Sequence, residues 1–498
     1  MGIIQRQTLK NNLLAYLAVA VGGYAQIFIY PENLELKGHA DGLLKIALLL
    51  FPFFTFGMSI VQVRFLPYLT GDKTQTASQL LTRSLAIVTA GLGLLAFFNF
   101  VCGEATAGAF REAGWKLGKL DNYRWTIIGL TAALVYSSTF TAYLTNFKRI
   151  AIPVLFNNLL LKVGLLLIFL GAVYGGYYDR AGFTNGLIGL YFLTVLGLIA
   201  YATYLGVFRL RWGELPLRDK TLADMRSLAL FGIFGSIGSV LATHMDTILI
   251  NTLIDDTTTS VYSFAIFVTT VIAIPYKAIN AIASPIVSEH WKARNLEQLA
   301  FLYRESAAVL FAAGGFIYTG AIVCLPYLFH LTDKTDQLAI GYTAAILLGA
   351  GQLFDQLTSI NNTLISYTDY YRWNIVFLVL MGVLNAGFTY YCIAVLGLGL
   401  TGAAAATAAS LCIYNLVKGG FIYWKMGIQP LSTGLLYTAV LLFGAGLLAW
   451  FVPGPSGAAV NIIFRGGIIT VVFLAYLRFT DGVPPIRRML KGGVKAMF

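Results

Sequence analysis

A charge inside a long apolar run is costly and marks a site, and besides Lys45 in the segment 43–69 six ionisable side chains in such runs are the candidates. Placing one at the centre of a membrane-spanning segment costs about 2.5–3.5 kcal/mol on insertion scales, so such groups face a cavity or one another. Arg64, in Gln62-Val63-Arg64-Phe65, can snorkel to the nearer interface or hold an anion. Lys162 ends Asn157-Asn158-Leu159-Leu160-Leu161-Lys162, deep enough to need a binding role or a structural ion pair. Lys277 follows Pro275-Tyr276. Asp246 and Asp355 are each a cation or proton site, or a counter-ion to a nearby base. His244 can titrate near neutral pH, or simply be packed among polar groups. Three bases against two acids predict a mildly positive cavity. Pro52 and Pro275 fall inside apolar segments; each removes a backbone hydrogen bond and can serve as a hinge.

The elements that must hold these residues follow from composition. The chain has 498 residues, of which 58% are hydrophobic and 11% charged, with a mean hydropathy of +0.75. A soluble domain carries about 25% charged residues, so a soluble enzyme, a disordered chain and a free nucleic-acid binder are excluded. About 20 apolar residues cross a bilayer as a helix. Fourteen such segments are predicted: 9–29, 43–69, 84–102, 124–146, 152–173, 184–208, 227–251, 260–288, 305–325, 338–366, 373–395, 399–417, 432–452 and 460–477. No period-2 alternation recurs, which disfavours a β-barrel. The first segment lacks a small-residue cleavage site and reads as a retained span.

The net charge of +12 is explained by topology. With the N-terminus inside, 22 of the 34 lysines and arginines fall in inner connections and tails, eight in outer ones, and four within spans. Lysine and arginine favour cytoplasmic loops, so both termini are expected in the cytoplasm and no nucleic-acid partner is needed. The four cysteines show no metal spacing or disulfide framework. No HExxH, P-loop or GxSxG is present, so neither an enzyme nor a metal or other cofactor is expected. Transport would draw on an ion gradient, the membrane potential or the substrate's own gradient.

An internal repeat is also expected. Pro67 matches Pro285, Arg83 matches Arg304, and Arg149 matches Arg372, at offsets of 218, 221 and 223. Six spans per unit give parallel repeats, a transporter architecture. The expected division is 1–220 and 221–428 as two six-helix bundles, with 429–498 adding two helices and a cytoplasmic tail.

Several motifs carry a resemblance. Gly2-Ile3-Ile4-Gln5-Arg6-Gln7, Phe51-Pro52-Phe53-Phe54-Thr55-Phe56-Gly57, Val63-Arg64-Phe65-Leu66-Pro67-Tyr68 and Leu396 through Thr407 resemble the polysaccharide transporter branch of the multidrug/oligosaccharidyl-lipid/polysaccharide exporter superfamily. So do Tyr414-Asn415-Leu416-Val417-Lys418 and Gly427-Ile428-Gln429-Pro430. The N-terminal wording is similar to flippases of Bacteroidota capsule and lipopolysaccharide clusters. The resemblance implies an all-α polytopic membrane protein of the MATE-like fold, about 14 helices, with two six-helix bundles around a central cavity. It also implies flipping of a polyprenyl-diphosphate-linked oligosaccharide across the bacterial inner membrane, with H⁺ or Na⁺ as candidate coupling ions. Membrane lipids surround a monomer that can associate with polysaccharide assembly proteins. Arg64 matches the arginine of the second-span motif, and Asp246 an acidic position common in span seven. Arg64, with Lys277 and Lys162, is then expected to bind the diphosphate. The alternatives are an ion-coupled drug or small-molecule antiporter of the same fold, with Asp246 or Asp355 coupling, and a polysaccharide polymerase or ligase. The last needs a substantial outer loop bearing catalytic Arg or His, whereas 103–123 is short and lacks His.

Overall fold

The computed structural model describes residues 14, 17–66, 73–112, 118–147, 149, 151–175, 179–213, 219–331 and 335–479, and no β-strand occurs among them. The motif at Gly2–Gln7, the start of the first span, Pro67-Tyr68, the middles of the connections 103–123 and 209–226, and the C-terminal tail lie outside the described residues. Chain contacts divide the protein into two units, Met1–Ser260 and Val261–Phe498.

In unit 1 an opening helical segment from Leu17 passes through a π-helical stretch, Ala25–Ile29, and a 3₁₀ turn, Tyr30–Asn33. There follow α1 (Leu34–Thr55), α2 (Met58–Phe65), α3 (Lys73–Glu112), α4 (Gly118–Thr145), α5 (Ala151–Val173), α6 (Arg180–Tyr204) and α7 (Asp219–Leu253). Helix α8 (Asp256–Ile272) begins in unit 1 and continues in unit 2, which then holds α9 (Ile274–Lys292), α10 (Leu296–Phe329), α11 (Thr335–Thr358), α12 (Asn361–Ser366), α13 (Trp373–Tyr390), α14 (Gly399–Met426), α15 (Thr433–Phe451) and α16 (Ala458–Phe479).

Helix starts follow side-chain chemistry. Asn33, Asp179 and Asn295 each cap a helix by accepting the backbone N–H three residues on, at Leu36, Gly182 and Gln298. Cores are apolar and interlocked. One in unit 1 joins Val61, Leu81, Phe140, Tyr143 and Leu198; another joins Tyr30, Leu43, Phe169 and Phe183. In unit 2 the last two helices pack on α10 through Ala308, Ala312, Leu442 and Phe473. Large apolar side chains such as Phe100, Leu196 and Phe443 point outward, as a lipid-facing surface requires.

Twelve helices among the described residues are long and apolar enough to cross a membrane, against about fourteen expected. The difference has two sources. The expected spans 9–29 and 43–69 form one helical stretch, Leu17–Thr55, which bends where Asn33 leaves helical geometry. The expected span 260–288 divides into α8 and α9. The first has only 17 residues, and the second carries Lys277, Glu289, His290 and Lys292.

Both segments with a predicted hinge proline are broken, but not at the proline itself. Helix α1 runs through Pro52 and stops one turn later, at Phe56 (φ 48°) and Gly57 (φ 64°). A Cβ at Gly57 would fall 2.4 Å from the Ala229 carbonyl oxygen, so this left-handed residue must also admit α7 closely. The second break is at Ala273, and Pro275 lies in the first turn of α9, where a missing N–H costs nothing. Ala273 lies 217 positions beyond Phe56, close to the offsets of the repeat motifs. A third break, at Ser359 (φ 55°), separates α11 from α12.

Candidate functional site

Each unit holds a buried polar network in an otherwise apolar helix bundle. In unit 1 it forms where α1 meets α7. Gly38 and Gly42, one helical turn apart, remove the side chains that would keep the helices separate. A Cβ at Gly38 would fall 1.6 Å from the Asp256 carbonyl oxygen, and one at Gly42 would fall 2.3 Å from Asn251 Oδ1. Such small-residue pairs let helix backbones approach closely. The approach brings charged groups together. Arg180 donates to Asp256 Oδ2 at 2.5 Å and to Glu35 at 3.0 Å. Arg180 also reaches His39 Nδ1 at 3.2 Å. A guanidinium only donates, so Nδ1 of His39 accepts. Its Nε2 then carries the proton toward Thr184 Oγ1, 3.2 Å away. Asn251 donates to Asp256 Oδ1 at 2.8 Å. Further along α1, Lys37 pairs with Asp41, and Lys45 Nζ lies 3.1 Å from His244 Nδ1. Asp246 is 3% exposed and accepts from the Thr247 backbone N–H at 2.6 Å. It also acts electrostatically on Lys45.

In unit 2 the network gathers at the break after α11. Asp355 Oδ1 accepts from Asn415 at 2.9 Å, and Oδ2 from Gln352 at 3.1 Å. Asn361, the first residue of α12, donates to Asn415 Oδ1 at 2.8 Å and to Thr358 at 3.2 Å. Ser359 donates to Ser306 of α10 at 2.8 Å. Lys418 is 1% exposed; it donates to Asn362 at 3.2 Å and to Tyr414 at 3.1 Å. Asp355 is close enough to attract the Lys418 charge. The helix break therefore exposes polar backbone and side chains toward a carboxylate and an ammonium, held together by three asparagines.

The sequence-predicted residues distribute as follows. Asp246 and His244 both lie in the unit 1 network, where Lys45 is their base. Asp355 is in unit 2 with Lys418. Lys162 is half-buried, has a partner, and lies against Gly22 of the opening segment. Arg64 and Lys277 are exposed, and neither has a hydrogen bond or ion pair to a described residue. They belong to different units. Pro52 is buried in α1, where its carbonyl accepts from the Thr55 hydroxyl at 3.1 Å. No group of three His, Cys, Asp or Glu able to hold a metal occurs among the described residues.

Sequence reasoning missed several participants. The charge count places Lys37, Lys418 and Arg465 in connections, although the expected span 460–477 contains Arg465; all three are buried within helices. Moving them leaves the inner excess of positive charge in place. Arg465 donates to the Ala449 and Trp450 carbonyls, satisfying the end of α15, and lies over the Tyr327 ring. A readable signal existed for Lys418. Tyr414, Asn415 and Lys418 share one helix face by spacing.

With the geometry in hand, comparison with solved structures places the architecture. The chain superposes on the lipid II flippase MurJ, in an inward closed conformation, with a TM-score of 0.68 at 13% identity, covering 94% of this chain and 97% of that one. An inward-facing multidrug resistance MATE family transporter of the MOP superfamily matches with a TM-score of 0.63 at 15% identity, covering 83% and 94%. Its outward-facing counterpart matches at 0.53 and 12% identity, covering 86% and 96%. The chain has the MATE-like fold. No family model and no curated protein sequence matches it. The all-α, polytopic architecture expected from the sequence is thus observed. Within this MATE-like chain, ionic chemistry concentrates at the α1–α7 contact and the break after α11.

Proposed function

We propose that the protein moves a polyprenyl-diphosphate-linked oligosaccharide from the inner to the outer face of the bacterial plasma membrane by alternating access. It would serve the synthesis of a surface polysaccharide such as O-antigen or capsule. The observation that carries this reading is the contrast among the bases inside the helices. Lys37, Lys45, Lys418 and Arg465 are engaged by acceptors in their own unit, and Lys162 is engaged as well. Arg64 and Lys277 are exposed and unneutralised by any described residue, each on the helix that follows a break.

Both lie outside the twelve candidate spans, on helices that continue an interrupted one, and an exposed cation with no protein partner is open to an anionic ligand. A diphosphate supplies concentrated negative charge, and arginine can hold two phosphate oxygens at once where lysine acts as a point charge. Lys162 is the third candidate, at the expense of its present contact. The sugar needs an aqueous path, whereas the prenyl chain can remain in lipid. Fold likeness to the lipid II flippase is consistent with such a substrate.

The second reading is an ion-coupled drug or small-molecule antiporter. The buried Asp246 and Asp355 and the fold likeness to multidrug transporters favour it. Reconstituted vesicles separate the two. A fluorescent polyprenyl-diphosphate oligosaccharide should become accessible to an impermeant quencher on the far leaflet only when the protein is present. Efflux of organic cations without lipid flipping would select the antiporter.

A further inference from the structure

We infer that Lys45 and His244 form a one-proton site across the α1–α7 contact, and that a second proton drives the two helices apart. This rests on the transport reading only in making the proton the coupling ion. The geometry comes from the 3.1 Å approach of Nζ to Nδ1. At that distance a single proton lies between the nitrogens. Either the ammonium donates to a neutral ring, or the imidazolium donates to a neutral amine. Both arrangements carry one positive charge. A second proton would set N–H against N–H and place two cations in contact.

The surroundings do not relieve that repulsion. On α1, Lys37 holds Asp41, and His39 faces Arg180 and Asp256. On α7, Asp246 accepts from Thr247. Helix α6 brings Arg180 to Asp256 and Tyr191 near Asp41, and α4 brings Tyr123 onto His39, so none of these adds a negative charge to the pair. Asp41 and Asp246 act on Lys45, but Lys37 takes up the Asp41 charge, so the two acids offset one further positive charge there rather than two.

The contact is also built to be made or broken as a whole. Gly38 and Gly42 of α1 and Gly57 beyond it seat α7 and the start of α8 against bare backbone. Interfaces packed this closely switch between discrete arrangements rather than deform gradually. In the joined state His244 shares one proton with Lys45. In a parted state Nδ1 faces water, forms its own N–H bond with an incoming proton, and Lys45 keeps its three. The parted state binds one proton more, so acid favours it.

The test needs no transport substrate. Spin labels are placed at Leu49 on α1 and Ser239 on α7 of the full chain in lipid nanodiscs, with the native cysteines replaced. Between about pH 8 and about pH 5, the ratio of long to short distances should rise by up to about tenfold per pH unit, the limit for one proton. His244→Gln keeps an acceptor for Lys45 but cannot titrate, and its distances should be independent of pH. Lys45→Gln, which removes the repelling charge, should also abolish the response. A parent protein whose distances do not change with pH overturns the inference. So does a His244→Gln variant that titrates like the parent. Failure of lipid flipping with the pH response intact would count against the proposed substrate alone.

Discussion

Asn415 holds the unit 2 network together, so its removal has a size that the geometry sets. It is fully buried, donates to Asp355 at 2.9 Å and accepts from Asn361 at 2.8 Å. A hydrogen bond to a charged group contributes about 1.5–3 kcal/mol and a neutral one about 0.5–1.5 kcal/mol, giving about 2–4.5 kcal/mol for the pair. Two facts lower this. Gln352 still serves Asp355, and Thr358 still serves Asn361. Interhelical hydrogen bonds in membranes also average only about 0.6 kcal/mol, because the unfolded chain in lipid finds other partners. Asn415→Ala should therefore destabilise by about 1–3 kcal/mol. The assay is reversible unfolding in bicelles for the parent, Asn415→Ala, Asp355→Asn and the double variant. The cycle should give a coupling of about 1 kcal/mol between positions 355 and 415. Additive losses would mean that Asp355 is solvated and the network is not a closed unit.

Other outcomes follow from the same geometry. Gly57→Ala forces a Cβ into a left-handed position 2.4 Å from the Ala229 carbonyl; it should cost about 1–3 kcal/mol and lower the melting temperature in detergent. If Asp246 or Asp355 binds a coupling ion, its Asn variant should lose the Na⁺ or pH dependence of transport. Unchanged dependence in both would make them counter-ions. A single cysteine at Tyr174 should react with an impermeant thiol reagent from outside intact cells, and one at Lys292 should not. The reverse pattern would invert the expected topology.

Much of the fold was legible because lipid imposes a simple rule, that spanning segments are long, apolar and helical. The rule failed where a span is interrupted. Helix α9 carries too many polar residues to read as a span, although α8 and α9 together cover the predicted segment. The segments holding Pro52 and Pro275 are each interrupted, but Phe56 and Gly57 set the first break through their backbone conformation, which proline placement alone does not specify. For the candidate sites, charge within an apolar run pointed to Asp246 and Asp355, which lie in buried polar networks, but not to their partners. Lys418 sits near a run of aromatic and basic residues ending in Trp424 and Lys425, which reads as an interface. Its burial depends on Asn362 and Tyr414 meeting it in three dimensions. The α1–α7 contact was hidden because Gly38 and Gly42 lie in a polar stretch outside the predicted spans, and their role is only to be small.

Direct binding tests the central claim best. The purified parent and its Arg64→Ala and Lys277→Ala variants are compared by native mass spectrometry against polyprenyl diphosphate and polyprenyl monophosphate. A charge-assisted hydrogen bond contributes about 1.5–3 kcal/mol, so each variant should bind the diphosphate roughly ten- to a hundredfold more weakly. The parent should prefer diphosphate to monophosphate, and Arg64→Lys should lie between parent and Arg64→Ala. Equal diphosphate affinity in the parent and Arg64→Ala would contradict the account.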